Sequence, residues 1–298
     1  MRITYKEWNP RGSSLNMVMS ALEILNEYAE QGYDLSVRQL YYQFVSKDLI
    51  PNTEKSYKRL VKVISQARDA GLIDWDFIKD RGRSLHGFTQ YEDGEAYVKQ
   101  MADSYHCDLW EGQAKRVQVW VEKDALVNVI ARACQPYDVD YFPCKGYMSA
   151  SAIWEMGRLM AKSECRDWLV LHLGDHDPSG IDMTRDIDER LNLYAQTIDS
   201  QDYQTDPEIE VRRIALTMDQ IEHYQPPPNP AKLTDTRAAE YVVQYGDESW
   251  ELDALEPPVI VELIQDHIQA AIDDDKAFGR RHVFQDKERR RLSKIELS

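Results

Sequence analysis

"WLVLHLGDHDPSGID", residues 168–182, decides the fold. An apolar run from Trp168 to Leu173 stops at Gly174, and a polar loop holding Asp175, Asp177 and Pro178 follows before a helix-like pattern begins at Ile181. A short apolar run bounded by Gly and Pro reads as a strand buried on both faces. Carboxylates set this close together repel one another. The loop is therefore either an ordinary polar turn that caps the next helix, or a site where a bound cation balances the charge.

Upstream, "VQVWV" (117–121) is a second strand of the same kind and is followed directly by Glu122. Helical patterns near Asp124–Cys134, 150–161 and 181–193 alternate with strand candidates "YDVDYF" and "IEVRRIAL". Such alternation predicts a parallel, Rossmann-like α/β sheet. In an open parallel sheet, ligands bind beyond the carboxyl ends of the strands. Glu122, Asp175 and Asp177 are then expected on one sheet edge. An all-oxygen donor set of this kind suits Mg²⁺, with Mn²⁺ as an alternative. His172 and His176 are not read as ligands, because a strand-to-loop segment does not put them on one helical face. "QPPPNPAKLTD" (225–235) is irregular, either a connecting loop or a lid, and "ELDALEPPVIVELIQDHI" closes the unit with a helix.

The N-terminal part has a different rhythm. Leu15, Val18, Leu22 and Leu25 recur at helical spacing before Gly32, Ser36 can N-cap a second helix, "VRQLYYQFV", and a third runs from Glu54 to Ala70. "LIDWDFIKDRGR" (72–83) then alternates like a short strand pair with a basic tip. Three helices and a hairpin predict a winged helix-turn-helix, whose third helix enters the major groove of DNA. Its polar face would carry Lys55, Lys58, Arg59 and Lys62, with Arg81 and Arg83 on the tip. On the second helix, Val37, Leu40, Tyr41 and Phe44 share one apolar arc. Tyr42 points away from that arc, with Arg38 one turn before it, so Tyr41 is expected to pack and Tyr42 to be presented.

The chain of 298 residues has room for two domains, taken as 1–110 (mainly helical) and 111–298 (α/β with a helical extension). Its net charge of −16 argues at first against nucleic acid. Between Ser36 and Phe88, however, ten Lys or Arg face six Asp or Glu, a local +4 that leaves −20 on the rest. "GRRHVFQDKERRRLSK" (279–294) is a second basic cluster. The four scattered Cys suggest neither a disulfide framework nor a zinc site. No apolar stretch approaches the ~18 residues of a membrane span, and the start lacks the zones of a secretory signal. A cytoplasmic location is expected, nucleoid-associated in a bacterial or viral setting.

"VEKDAL", "KGY" and "GDHDPSGID", in that order, resemble the Toprim domain of the topoisomerase VI A subunit and its relatives, the meiotic double-strand-break transesterases. An Arg-x-x-Tyr-Tyr stretch on a winged-helix element, here Arg38 to Tyr42, is the second signature of that family. The resemblance implies Mg²⁺ at Glu122, Asp175 and Asp177, and attack on DNA by Tyr42. Arg38 would stabilise the phenolate or hold the scissile phosphate. It also implies double-stranded DNA as partner, a homodimer in which one chain's tyrosine faces its partner's metal, and an ATPase subunit supplied by another chain. Nothing in residues 86–113 obviously folds one half onto the other, although a monomer closing its own site is the competing arrangement. "KGYMSASAIW" departs from the family pattern, which has Pro-Asp after the KGY-like stretch and Thr-Arg shortly beyond. A Toprim nuclease in which water attacks, or a non-catalytic DNA-binding module, are the alternatives.

Overall fold

The computed structural model describes residues 2–78, 90–163, 165, 167–196 and 207–295. Its first unit is helical: α1 (Ser13–Glu30), α2 (Val37–Ser46) and α3 (Glu54–Asp69). Ser36 caps α2 in a full capping box with Gln39, and Thr53 caps α3 through Ser56. The inner face of α1 is Met17, Val18, Ala21, Ile24, Leu25 and Tyr28, while Leu15 is exposed. These side chains meet Leu40, Phe44, Leu60, Val63 and Ile64 in one core. At about 1.5–3 kcal/mol for each fully buried aliphatic side chain, this cluster holds the three helices together.

After α3 the expected strand pair does not form in its described part. Trp75–Phe77 make a 3₁₀ turn, and Ile78 makes a single bridge to Leu35. The reason is local. The Asp74 side chain accepts from Asp76 N, while Arg68 donates to the carbonyls of Trp75 and Ile78 and stacks on the Trp75 ring at 4.2 Å. Together these contacts fold the stretch back onto α3. The tip with Arg81 and Arg83 lies outside the described residues.

A helix α4 (Gly94–Asp103) leads into the second unit, where β1 (Lys115–Val121), α5 (Val127–Cys134), β2 (Asp140–Pro143), α6 (Ala150–Lys162), β3 (Asp167–Leu173), α7 (Pro178–Gln196) and β4 (Glu208–Ala215) follow in order. All neighbouring strand pairs are parallel, in the order β2-β1-β3-β4. Period-2 alternation divides the strands between two cores. Val117, Val119, Val121, Leu169, Leu171 and Leu173 face the α5 side, and Trp120, Trp168 and Val170 face α6 and α7. The α/β expectation holds, and each of the four strands expected in the parallel sheet is present. Cys107, Leu109 and Trp110 belong to the first of these cores.

Beyond the sheet come α8 (Met218–Tyr224), the short strand β5 (Asn229–Pro230), α9 (Ala238–Tyr245), β6 (Glu248–Ser249), α10 (Pro257–Ala271) and α11 (Asp275–Leu292). β5 pairs antiparallel with β6. Helix α10 covers the α5 side of the sheet through Ile260, Ile264 and Ile268, and Phe278 of α11 joins the same core. Among the described residues, no helix is long and apolar enough to cross a membrane.

Candidate active site at the sheet edge

With strand order 2-1-3-4, the chain departs from β1 and β3 in opposite directions across the sheet, so a crevice opens at their carboxyl ends. Glu122 stands at the end of β1, with its N–H on Leu173 O at 2.9 Å. Its Oε2 accepts from Asp175 N at 3.0 Å. The acidic loop turns tightly enough that a Cβ on Gly180 would come 2.1 Å from Asp175 O, so only glycine fits. The three carboxylates are brought to one edge as expected.

Each has internal partners. Asp177 Oδ1 accepts from Ser179 Oγ and Gly180 N at 2.9 and 2.7 Å, which makes it the cap of α7. Asp175 Oδ1 accepts from Leu252 N at 2.8 Å and lies 2.9 Å from Lys123 Nζ. Burial and the neighbouring Asp175 charge push the Glu122 carboxyl up to about 7, with Asp177 adding to the repulsion. Burial likewise raises Asp175, against the pull of Lys123. The donor set fits a hard divalent cation in chemistry, being carboxylate oxygen throughout. Among the described residues, no group of three or more His, Cys, Asp or Glu side chains is arranged to hold a metal ion.

The loop is held from below by Arg213 of β4. Its guanidinium donates to the carbonyls of Gly174, Asp175, Gly180 and Leu216 and to Thr184 Oγ1. Burial lowers its pKa to about 10, opposed by the Glu122 and Asp175 charges. His172 and His176 face inward, with Nδ1 of each against a hydroxyl, Thr184 Oγ1 and Tyr241 Oη, both at 2.8 Å. Asp182 does not enter the cluster. It pairs instead with Arg185, with Arg237 and with the hydroxyl of Tyr147, the tyrosine of the KGY stretch.

The tyrosine pair corrects the sequence expectation. Tyr41 packs, with its hydroxyl donating to Asn52 Oδ1 at 2.8 Å. Tyr42 is not presented to solvent: it is only 3% exposed. Its ring belongs to the buried cluster that also holds the three helices together, and a segment almost 190 residues later reaches its hydroxyl. Asn229 Nδ2 donates to Tyr42 Oη at 3.3 Å. The guanidinium of Arg38 lies against the same ring, 6.0 Å from its centroid. Burial and the Glu251 charge push the phenol up to about 12, with Asn229 and Arg38 pulling the other way. Beside it opens a cavity of about 590 Å³ lined by Arg38, Tyr42, Asn52, Lys58, Asn229 and Glu251. Of the irregular 225–235 segment, Asn229 and Pro230 line the space beside Tyr42.

Residues 248–253 join the two sites. Ser249 pairs with Asn229, and Trp250 exchanges both backbone hydrogen bonds with His176 in the acidic loop. The Glu251 carboxylate ion-pairs with Arg38 through one oxygen and with Lys123 through the other, at 2.7 Å for the latter. Burial would raise that carboxyl, but Lys123 and Arg38 outweigh it and hold it below the ordinary range. Asp253, buried and raised, lies 3.7 Å from Arg38 and 3.8 Å from Lys123. An unbroken chain of contacts thus runs Tyr42–Arg38–Glu251–Lys123–Asp175 within one polypeptide. The two halves thus meet through residues 248–253, not through the 86–113 segment that links them in sequence.

Sequence reasoning singled out none of Lys123, Arg213, Asn229, Glu251 and Asp253. Two weak signals were present: a lysine directly after the strand-end Glu122, and an arginine inside the apolar run of β4. Of the expected DNA contacts, Lys55, Lys58, Arg59 and Lys62 are exposed along α3, with Lys58 also paired to Glu54. Helix α11 exposes Lys276, Arg280, Lys287, Arg290 and Arg291. No family model matches the chain, and no curated protein matches it.

Proposed function

We propose that this chain is a Mg²⁺-dependent DNA transesterase of the topoisomerase VI A-subunit type, with a winged-helix-like N-terminal unit, a Toprim-type sheet and Tyr42 as the attacking residue. The observation that carries the reading is the run of contacts from Tyr42 through Arg38, Glu251 and Lys123 to Asp175. It puts a phenol, two cations and the acidic sheet edge on one continuous polar track.

In the proposed reaction Tyr42 Oη bonds to a backbone phosphorus and one phosphodiester P–O bond breaks. The phenol proton is given up and the departing sugar oxygen takes one, so the bond energy is kept in the phosphotyrosyl link. Arg38 holds the phosphate or the developing phenolate, a charge placed where negative charge grows. Glu122, Asp175 and Asp177 would hold Mg²⁺ or Mn²⁺, which supplies charge stabilisation at phosphoryl oxygen when bound. Lys55, Lys58, Arg59 and Lys62 of α3, together with Arg81 and Arg83, would meet the phosphates of duplex DNA. The chain would act as a homodimer, its two copies cutting opposite strands of the duplex. An ATPase subunit would come from another chain.

A second reading keeps the acidic edge and uses water as the nucleophile. It is favoured by one observation, the burial of Tyr42 under Asn229. A denaturing adduct assay with Mg²⁺ separates the two. The transesterase reading expects covalent protein–DNA product from the unsubstituted chain, and at least ~10³-fold less from Tyr42→Phe and from Asp175→Asn/Asp177→Asn, the scale of losing a nucleophile or its charge stabilisation. Free cut ends that persist in Tyr42→Phe would overturn it in favour of water.

A further inference from the structure

The oxygen of Tyr42 sits at the end of a fixed hydrogen-bond relay that starts from a backbone carbonyl. Pro228 O can only accept, and Asn52 Nδ2 donates to it at 2.6 Å. That contact fixes which way the Asn52 amide faces. The same Nδ2 donates to Asn229 Oδ1 at 3.0 Å, while Asn52 Oδ1 accepts from Tyr41 Oη at 2.8 Å. With Oδ1 of Asn229 assigned as an acceptor, its amide nitrogen is the atom left to face Tyr42 Oη, at 3.3 Å. The two amides therefore have one consistent orientation, and it delivers an N–H to the phenol oxygen.

The backbone of Asn229 is fixed as well. It pairs with Ser249 in the β5–β6 ladder, and Ser249 Oγ donates to the carbonyl of Asn229 at 3.3 Å. Two residues past Ser249, beyond the end of β6, Glu251 holds Arg38. The short ladder and the stretch that directly follows it thus position both groups that act on Tyr42, a neutral donor on its oxygen and a cation beside its ring.

We propose that Asn229, held by Asn52, is the donor that stabilises the Tyr42 phenolate during attack. The proposal rests on Tyr42 being the attacking residue. A donor aimed at an oxygen that becomes negative gains strength as the charge develops, and it favours the ionised form. Asn52 acts through Asn229 and is a positioning residue. The adjacent Tyr41 is recruited to the relay and has no contact of its own with the reacting oxygen.

The seventeen tyrosines of the chain would obscure a bulk titration. The test therefore places a fluorinated tyrosine at position 42 and follows its ionisation by fluorine NMR. The more acidic fluorophenol ionises at a pH where the fold survives. Asn229→Asp keeps the shape, still accepts from Asn52, and turns an acceptor towards the phenol. It should raise the midpoint by about one unit, a tenfold change in ionisation constant, and Asn229→Ala should raise it by less. Asn52→Ala, which frees the Asn229 amide to turn, should reproduce part of the shift. Adduct formation by Asn229→Asp at neutral pH should fall about tenfold or more, while DNA affinity stays unchanged. An unmoved midpoint in both Asn229 variants overturns the proposal, even if their adduct yield falls, because the residue would then only support the fold. A midpoint that moves while even the unsubstituted chain forms no adduct supports the donor assignment and sinks the transesterase reading.

Discussion

The acidic edge and the tyrosine cavity are built in opposite ways. Glu122, Asp175 and Asp177 sit at the ends of two adjacent parallel strands, and the sheet alone brings them together. The cavity draws on α2, the N-terminal end of α3, Asn229 from β5 and Glu251 from the stretch after β6. The first site is local to strand ends, and the second exists only once distant segments have met. Stability and chemistry should therefore respond differently when each is disturbed.

The largest effect is expected at Arg213. Arg213→Met removes donors from four carbonyls of the acidic loop and its surroundings. At ~1–3 kcal/mol for each buried acceptor left unpaired, and with water satisfying some of them, the loss should exceed about 3 kcal/mol in chemical denaturation. The environment of Tyr42, built from other segments, should change little in the material that remains folded. Equal disturbance of both sites would show that they are one unit energetically.

Acid should weaken the edge first. Burial pushes His172 down to about 3 and His176 to about 4, with the Arg213 charge adding to both. A histidine depressed in the folded state binds its proton more tightly when unfolded. Its stabilisation is therefore complete above the unfolded value near ~6.5 and is lost as pH falls towards the folded value. Glu122, raised to about 7, works in the other direction, favouring the folded state as pH drops through the same window. The histidine contribution is read by difference. His172→Gln should make the fall of unfolding free energy between roughly pH 6 and pH 4 shallower, by up to about 1.4 kcal/mol per pH unit. A slope identical to that of the unsubstituted chain would mean that His172 is not held neutral.

The smallest effect on stability is expected on α3, where the cations face solvent. Charge reversal at Lys58 and Arg59 should change unfolding free energy by no more than about 0.5 kcal/mol. It should reduce the dependence of DNA binding on log salt by about one unit for each phosphate no longer neutralised. Unchanged binding would remove α3 from the proposed interface.

The same contrast explains what was legible in the sequence. The edge could be read because a buried parallel strand is a continuous apolar run, and the residues just past its carboxyl end must lie on the ligand side of the sheet. Glu122, Asp175 and Asp177 needed no long-range information. Helix periodicity turned Tyr42 away from the apolar arc of α2 and so predicted exposure, whereas the ring is buried in the helical cluster. Periodicity could not foresee that Asn229 would reach its hydroxyl, since a helical wheel describes only the helix itself. Lys123, Glu251 and Asp253 were missed for the same reason: their meaning lies in one another, across more than 120 positions. The described part of the strand pair expected after α3 gave way to competing chemistry, because Arg68 took the carbonyls of Trp75 and Ile78 that a ladder would have used.

The seam at 248–253 also sets where the gene can change length. Ser249 faces the Asn229 segment, Trp250 bonds to His176, Glu251 reaches Arg38 and Lys123, and Leu252 N meets Asp175. In an extended stretch, inserting or deleting one residue turns every later side chain to the opposite face. A one-codon indel here would hand the partners of Glu251 to a neighbouring side chain and cut the link between tyrosine and acidic edge, with no change in composition. Residues 232–234, an exposed turn on the way to the seam, can absorb the same indel at the surface.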